Sequence, residues 1–163
     1  METEEETTET MQTMLFQGPN FTLRVPSTWL VTSNKDVQVI FIGPQIGDVR
    51  AALGIELGTD NSVENLAEFV EQYNKDQGAK AGNFEVKFSA DHSKENYQAI
   101  HQIVQADQRG VDLRLEKNQV FYLLEGTLII IATTQPADTD VRNNIQDLFI
   151  KMINTFRFGK LSL

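Results

Sequence analysis

The sequence predicts an α+β sandwich with a central, mainly antiparallel sheet of about six or seven strands and two main helices. Three observations support this prediction. Apolar and polar residues alternate in several short segments, as in strands with one buried face. Two longer segments carry apolar residues at spacings of three and four, as amphipathic helices do. Most strand segments follow one another across short turns, which favours antiparallel pairing and a sheet covered by helices.

The globular part is predicted to open with a strand at residues 21–25. Pro26 ends this strand because proline has no N–H to donate to a neighbouring strand. Trp29, the only tryptophan, follows as a large aromatic anchor. Further strands are predicted at residues 37–42, before a turn at Gly43 and Pro44, and at residues 51–57.

The first helix is predicted at residues 62–76. Asn61 and Glu64 have the spacing of a capping box, and Gly78 is a suitable residue to end the helix. An apolar stripe along this segment must cover a sheet or another helix; its members are Val63, Leu66, Val70 and Tyr73.

The second half of the chain is rich in strand patterns. Phe84, Val86 and Phe88 are predicted to share one face of a strand, and residues 97–105 form a longer strand. In the next strand, at residues 111–116, the odd-numbered residues are predicted to face the interior and the even-numbered residues the solvent. A turn is predicted at Lys117-Asn118, followed by a hairpin of residues 120–124 and 127–133 across Glu125-Gly126.

The last helix is predicted at residues 139–156, with a strong apolar stripe. Before the first strand, residues 1–13 are mostly Glu and Thr and have too little apolar surface to fold. We therefore expect a disordered acidic tail at residues 1–13 and a single α+β domain at residues 14–163.

Composition excludes several classes of function. The chain has no cysteine, so it has no disulfides, thiolate zinc sites or cysteine nucleophiles. Its net charge of −9 argues against nucleic acid and anionic membranes as partners, because both are bound by clustered Lys and Arg. The chain shows neither a signal-peptide pattern nor an apolar run long enough to span a bilayer. We expect a cytoplasmic protein with no membrane insertion.

No motif for catalysis, cofactor binding or metal binding is present. His92 lies in a polar stretch and His101 in the middle of a strand, without the spacing of metal ligands. Asp91 and nearby serines lack a nucleophile-elbow motif. The glycines match neither a Walker loop nor a dinucleotide-binding turn. We predict no catalytic residue, no cofactor and no metal.

Charged residues on two predicted surfaces are the candidate partner-binding residues. The carboxylates of Glu64, Glu68 and Glu71 fall on one side of the first helix, which fits a solvated face or a contact for a basic partner. The other candidates are the residues predicted to face solvent in the strand at residues 111–116: Asp112, Arg114 and Glu116.

The order of several segments resembles the PsbP-like superfamily. The sequence Phe-Thr-Leu-Arg-Val-Pro-Ser-Thr-Trp at residues 21–29 is similar to the opening of its members. Residues 52–57, 62–66 and 121–133 resemble a strand, the first-helix entry and the late hairpin of the family. Asn154-Thr155-Phe156-Arg157 resembles the end of its last helix, and the match spans residues 16–158.

The resemblance implies an α/β/α sandwich and a function in binding rather than catalysis. The family includes extrinsic photosystem II proteins, a Ran-binding nuclear import factor, bacterial DcrB-like proteins and chaperones for type VI secretion effectors. No functional residue of these proteins is carried over, because the import factor's partner-binding acidic residues do not match position by position.

Three functions remain open. The favoured hypothesis is a non-enzymatic protein-binding module, an adaptor or chaperone that uses a sheet face or edge, with a homodimer as one form of association. The second is a carrier of a small apolar ligand between sheet and helix, in a pocket lined by Tyr97, Phe121, Tyr122 and Phe149. The third is an unrecognised hydrolase that uses Asp, Glu or His92 in an arrangement without a known motif.

Overall fold

The computed structural model of the chain describes residues 13–17, 21–34, 38–46, 49–59, 65–108, 110, 112–124, 126–137 and 142–158. These residues form two helices and ten strands. The strands are β1 Thr13–Gln17, β2 Phe21–Pro26, β3 Leu30–Asn34, β4 Gln38–Ile46, β5 Val49–Thr59, β6 Gly82–Asp91, β7 Gln98–Asp107, β8 Arg114–Leu124, β9 Thr127–Pro136 and β10 Arg157–Phe158. The helices are α1 Leu66–Lys80 and α2 Arg142–Ile153. The predicted acidic tail lies outside the described residues except for Thr13, which begins β1.

Two antiparallel sheets organise the strands. The larger has seven strands in the order β3-β4-β5-β9-β8-β7-β6, and the smaller has three in the order β1-β2-β10. Every recorded pair of neighbours is antiparallel. The predicted fold class is therefore confirmed, with the small sheet as an addition that the sequence patterns did not indicate.

Each face of the large sheet is covered by one helix. On one face, Leu66 and Val70 of α1 pack on alternate residues of β8 and β9: Phe121, Leu123, Leu128 and Ile130. On the other face, α2 and the small sheet cover the intervening residues: Val120, Tyr122, Ile129 and Ile131. Full burial of one such side chain stabilises the fold by about 1.5–3 kcal/mol. Because β8 and β9 carry apolar residues on both faces, they stabilise the packing of a helix on each side of the sheet.

Trp29 joins the small sheet to the large one. Its ring is buried and lies directly over the backbone of Gly43 in β4. The predicted turn at Gly43 and Pro44 is wrong, because β4 continues to Ile46. The pairing of β4 with β5 is irregular between Ile42 and Gln45, where the glycine and proline lie. Such a bulge accommodates proline within a strand, because the bulged residues do not take part in the regular hydrogen bonding.

Helix α1 is displaced along the sequence relative to the prediction. Asn65 is its N-cap, and the Asn65 side chain accepts a hydrogen bond of 3.2 Å from the backbone N–H of Glu68. The predicted cap at Asn61 and Glu64 lies outside the described residues. The helix also passes through Gly78, which was expected to end it. A Cβ at Gly78 would lie 3.7 Å from Phe84 of β6, an ordinary van der Waals distance, so a larger residue would also fit within the helix here.

The turn predicted at Lys117-Asn118 is also wrong. Strand β8 runs unbroken from Arg114 to Leu124 and pairs residue by residue with β7 and β9. The predicted hairpin between β8 and β9 is confirmed, and Gly126 takes the positive φ of 79° that its turn requires. None of the helices in the described part of the chain has both the length and the apolar content needed to cross a bilayer.

Strand β6 departs from simple alternation. Its pairing with β7 shifts between Val86 and Phe88, so that Val86 opposes Val104 and Phe88 opposes Ile103. The extra residue places Val86 on the α1 side of the sheet and Phe88 on the α2 side. The prediction that Phe84, Val86 and Phe88 share one face is therefore wrong.

Candidate functional site

The acidic side chains of α1 are on the surface, as predicted. Glu68 and Glu71 are exposed, and a Glu71 carboxylate oxygen lies 3.7 Å from Lys75 Nζ, one turn along. Such an exposed pair contributes less than about 1 kcal/mol. Asp112 is also exposed, whereas Glu64 lies outside the described residues. A partner-binding role for these carboxylates stays a prediction.

Arg114 is engaged within the protein rather than presented to a partner. Its Nη2 lies 2.6 Å from Glu85 Oε1, its Nη1 lies 2.9 Å from Asp107 Oδ1, and its Nε donates to Gln105. A hydrogen bond from Asn83 and the interaction with Arg114 hold the pKa of Asp107 below its ordinary value. Arg114 thus links β6, β7 and β8 at one end of the sheet.

Glu116 does not face solvent, contrary to the prediction. Only 1% of the residue is exposed. Its carboxylate accepts hydrogen bonds from Gln105 Nε2 at 2.9 Å and from Gln135 Nε2 at 3.3 Å. The even-numbered residues of β8, including Val120 and Tyr122, face the side covered by α2. A free partner contact through Glu116 is therefore excluded by its burial.

A cleft of about 380 Å³ lies between the sheet and the end of α2. Tyr97 and Tyr122 line it, as the ligand-carrier hypothesis predicted. Phe121 lies on the opposite face of the sheet against α1, so that part of the prediction is wrong. Phe149 is buried with its ring 6.2 Å from His101, which lines the cleft.

Aromatic rings form one wall of this cleft. Tyr122 and Phe156 stack at 4.0 Å with an interplanar angle of 5°, and Tyr97 meets Tyr122 edge-on at 6.0 Å. Burial raises the pKa of the Tyr122 hydroxyl, and Tyr97 raises it further, so this hydroxyl stays protonated at neutral pH. The wall is flat, apolar and uncharged, with phenol groups at its edge.

His101 is the most unusual group of the cleft. It is only 8% exposed, and its Nε2 has no hydrogen-bond partner within the part of the chain that the structure describes. Burial lowers the pKa of His101 and outweighs a hydrogen-bond interaction with Asn118 that raises it; His92, whose ring lies 6.2 Å away, lowers it slightly further. The imidazole is therefore neutral at pH 7, with one buried nitrogen open to a ligand.

Asp91, His92 and Ser93 do not form a catalytic triad. The Asp91 carboxylate accepts a 2.8 Å hydrogen bond from the backbone N–H of Ser93, and hydrogen bonds from Ser93 lower the pKa of Asp91. The Ser93 hydroxyl accepts from the backbone N–H of Ala99 at 3.0 Å. Carboxylate and hydroxyl thus hold the loop in shape rather than orienting an imidazole. Among the described residues, no three His, Asp or Glu side chains are grouped so as to hold a metal ion.

A second cleft, of about 410 Å³, lies at the C-terminal end of α1. Lys80 and Lys117 line it together with Asp107, whose carboxylate is already bound by Asn83 and Arg114. Its mixed charge and half-open shape select no ligand class.

The two edges of the large sheet expose apolar side chains. On the long edge strand β6, Val86 and Phe88 are 45% and 44% exposed. On the short edge strand β3, Leu30 and Val31 are more exposed still. Edge strands present unpaired backbone N–H and C=O groups, which allow pairing with another chain.

Comparison with known proteins identifies the architecture. No protein-family model and no curated protein matches the chain. Among solved structures, cyanobacterial PsbP (CyanoP) from Synechocystis sp. PCC 6803 superposes with a TM-score of 0.71 at 13% identity, covering 91% of this chain and 93% of CyanoP.

Two further structures share this arrangement. The Ran-binding protein Mog1p of Saccharomyces cerevisiae has a TM-score of 0.65 at 11% identity, covering 91% of this chain and 96% of Mog1p. PA94 of Pseudomonas aeruginosa, described as a putative regulator, has a TM-score of 0.60 at 18% identity and covers 86% of this chain and 94% of its own. With a helix on each face of its antiparallel sheet, this chain has the PsbP-like fold.

Proposed function

We propose that this chain is a non-enzymatic protein-binding module, adaptor or chaperone-like, that binds an extended segment of its partner along the edge strand β6. The observation that carries the proposal is the exposure of Val86 and Phe88 on a strand of ten residues at the edge of the sheet. Large exposed apolar side chains on an edge strand favour association with another chain.

The geometry of β6 indicates what the partner segment looks like. Val86 and Phe88 lie on opposite faces of the sheet because of the bulge between them. A strand added beside them buries apolar side chains on both of its faces, so its sequence is a continuous apolar run rather than an alternating one. Backbone hydrogen bonds supply affinity, and residues 88–91 offer a regular segment for them.

The similar folds support a binding function without naming the partner. Mog1p is a Ran-binding protein, so this architecture serves protein recognition in at least one case. The Asp91, His92 and Ser93 groups lack the arrangement of a hydrolase, which favours binding over catalysis here. Self-association along the same edge and a cytoplasmic location both stay predictions.

The test is affinity purification from native extract with three forms of the tagged chain. These are the wild type, a Val86→Lys/Phe88→Lys variant of β6, and a Leu30→Lys/Val31→Lys control on β3. All four positions are exposed, so each variant is expected to fold, and circular dichroism checks this. We expect a stoichiometric partner, or a dimer by light scattering, with the wild type and the β3 control only.

Two results would count against the proposal. Recovery of no stoichiometric partner together with a strictly monomeric chain removes the binding function. If only the β3 variant loses the partner, the chain still has a binding function, but the binding surface is not β6.

A further inference from the structure

The cleft beside α2 has a charge opposite to that of the whole protein. Two side chains that are positively charged at neutral pH, Lys94 and Arg157, line it together with His92 and His101. No Asp or Glu is among the described residues that line it. In a chain of net charge −9, this local excess of positive charge is a property of the cleft and not of the surface in general.

Among the described residues, no carboxylate pairs with the cations of the cleft. Within the described ranges, neither Lys94 nor Arg157 forms an ion pair. Arg157 Nη1 donates instead to the backbone carbonyls of Asn154 and Phe156, at 2.9 and 2.7 Å. These bonds fix the position of the guanidinium while leaving its charge uncompensated. A pre-positioned arginine of this kind suits carboxylate or phosphate oxygens.

The floor of the cleft has a buried polar atom without a protein partner. His101 Nε2 belongs to a side chain more than nine-tenths buried. A buried polar group without a partner destabilises the fold, so its presence beside a cleft points to a ligand or solvent atom that satisfies it. In the neutral tautomer of His101 that carries its proton on Nε2, this nitrogen can donate a hydrogen bond to a ligand in the cleft.

We propose that this cleft binds a small organic anion, a carboxylate or phosphate carried by a flat apolar group. The anionic oxygens lie between His101 Nε2 and the cations at Arg157 and Lys94, and the apolar part lies against the wall of Tyr97 and Tyr122. A volume of about 380 Å³ is at the small end of ligand pockets, which selects a compact molecule. This site adjoins the β6 edge, because the Phe88 ring lies 5.4 Å from the His101 ring, but neither Val86 nor Phe88 lines the cleft.

The test measures binding of benzoate and phenyl phosphate to the full chain by NMR at constant ionic strength, with benzamide as the uncharged analogue of benzoate. We expect both anions to shift the His101 ring signals, and benzamide to bind at least about tenfold more weakly, the difference expected for one charge-assisted hydrogen bond. If only phenyl phosphate binds, the phosphate arm of the proposal holds.

Matched variants locate the charge that matters. Arg157→Gln is expected to weaken anion binding about tenfold, and Lys94→Gln less, because a lysine forms a single flexible contact. Lys75→Gln on α1 is the control, because Lys75 is exposed and remote from the cleft, and it should leave binding unchanged. His101→Gln tests the floor, with thermal unfolding as a check of its fold.

Three outcomes overturn the proposal. Equal affinity for benzamide and benzoate means an apolar-ligand pocket without charge selection. An equal loss in Arg157→Gln and Lys75→Gln means nonspecific attraction of anions. Anion binding that leaves the His101 signals unmoved means a site elsewhere on the chain.

Discussion

Replacing Gly43 by alanine is the sharpest test of how the two sheets are joined. A Cβ at this position would lie 2.7 Å from Cε2 and Cζ2 of Trp29. Carbon atoms pack best about 3.5–4.0 Å apart, so the methyl group overlaps the indole ring by about 1 Å. Trp29 is buried between the two sheets and has little room to retreat.

The net effect on stability follows from two opposing contributions. Overpacking of a core site costs about 1–3 kcal/mol, whereas alanine restricts the unfolded chain and returns about 0.4–1 kcal/mol. We therefore expect Gly43→Ala to lower the free energy of unfolding by up to about 2.6 kcal/mol. For a domain of this size, that corresponds to a fall in Tm of up to about 10 °C.

Urea unfolding followed by Trp29 fluorescence measures this effect, and Gly54→Ala is the matched control. Gly54 lies in β5, where a Cβ would meet nothing within 4 Å. The control should be unchanged or more stable by about 0.4–1 kcal/mol. If Gly43→Ala is as stable as Gly54→Ala and the emission of the native tryptophan is unshifted, the close contact between Trp29 and β4 is refuted.

Three further predictions concern the core, the ion-pair cluster and pH. Phe149→Ala should lower the free energy of unfolding by about 3–5 kcal/mol in urea, because its ring is fully buried between α2 and the sheet. Arg114→Gln should raise the pKa of Asp107 toward its ordinary value, as followed by NMR titration; an unchanged pKa would show that Asn83 alone controls it. Because burial lowers the pKa of His101 below 6.5, the unfolded chain binds a proton that the folded chain does not as pH falls through 6.5. Wild-type stability should therefore decrease from pH 7 to pH 5 more than that of His101→Gln, and parallel curves would contradict this. The titratable groups facing His101 across the cleft are His92, Lys94, Tyr97, Tyr122 and Arg157.

Sequence patterns predicted the elements whose signals are local. Alternation at Phe21, Leu23 and Val25 is a strand in the structure, and all three residues are fully buried. Glycine at position 126 closes the predicted hairpin with a positive φ. The stripe of Leu66 and Val70 covers the sheet as expected. In these cases the backbone conformation and the burial of one face depend on residues close in sequence.

The failures occurred where distant residues decide the structure. Lys117 and Asn118 have the composition of a turn, but pairing with strands on both sides keeps them extended in β8. Glu116 looks like a solvent-facing charge until Gln105 and Gln135 are brought beside it. Such long-range hydrogen bonds leave no trace in local periodicity.

The candidate anion site was missed for the same reason. His92 lies in a loop, His101 in β7 and Arg157 in β10, with no characteristic spacing in the sequence. Of the residues that line this cleft, only Tyr97 and Tyr122 were predicted to do so, on the ground of their aromatic character. The only signal in the sequence was that His101 lies in the middle of a predicted strand.

The sequence by itself determined the class of fold, the main antiparallel strands, the amphipathic helices and the absence of cysteine chemistry, because composition and periodicity encode them directly. Tertiary structure alone decided which charges are buried, which edge is open and which cations converge on one cleft. The physical reason is that burial and electrostatic environment belong to sets of residues far apart in the chain, and the sheet brings them together only after its strands have paired.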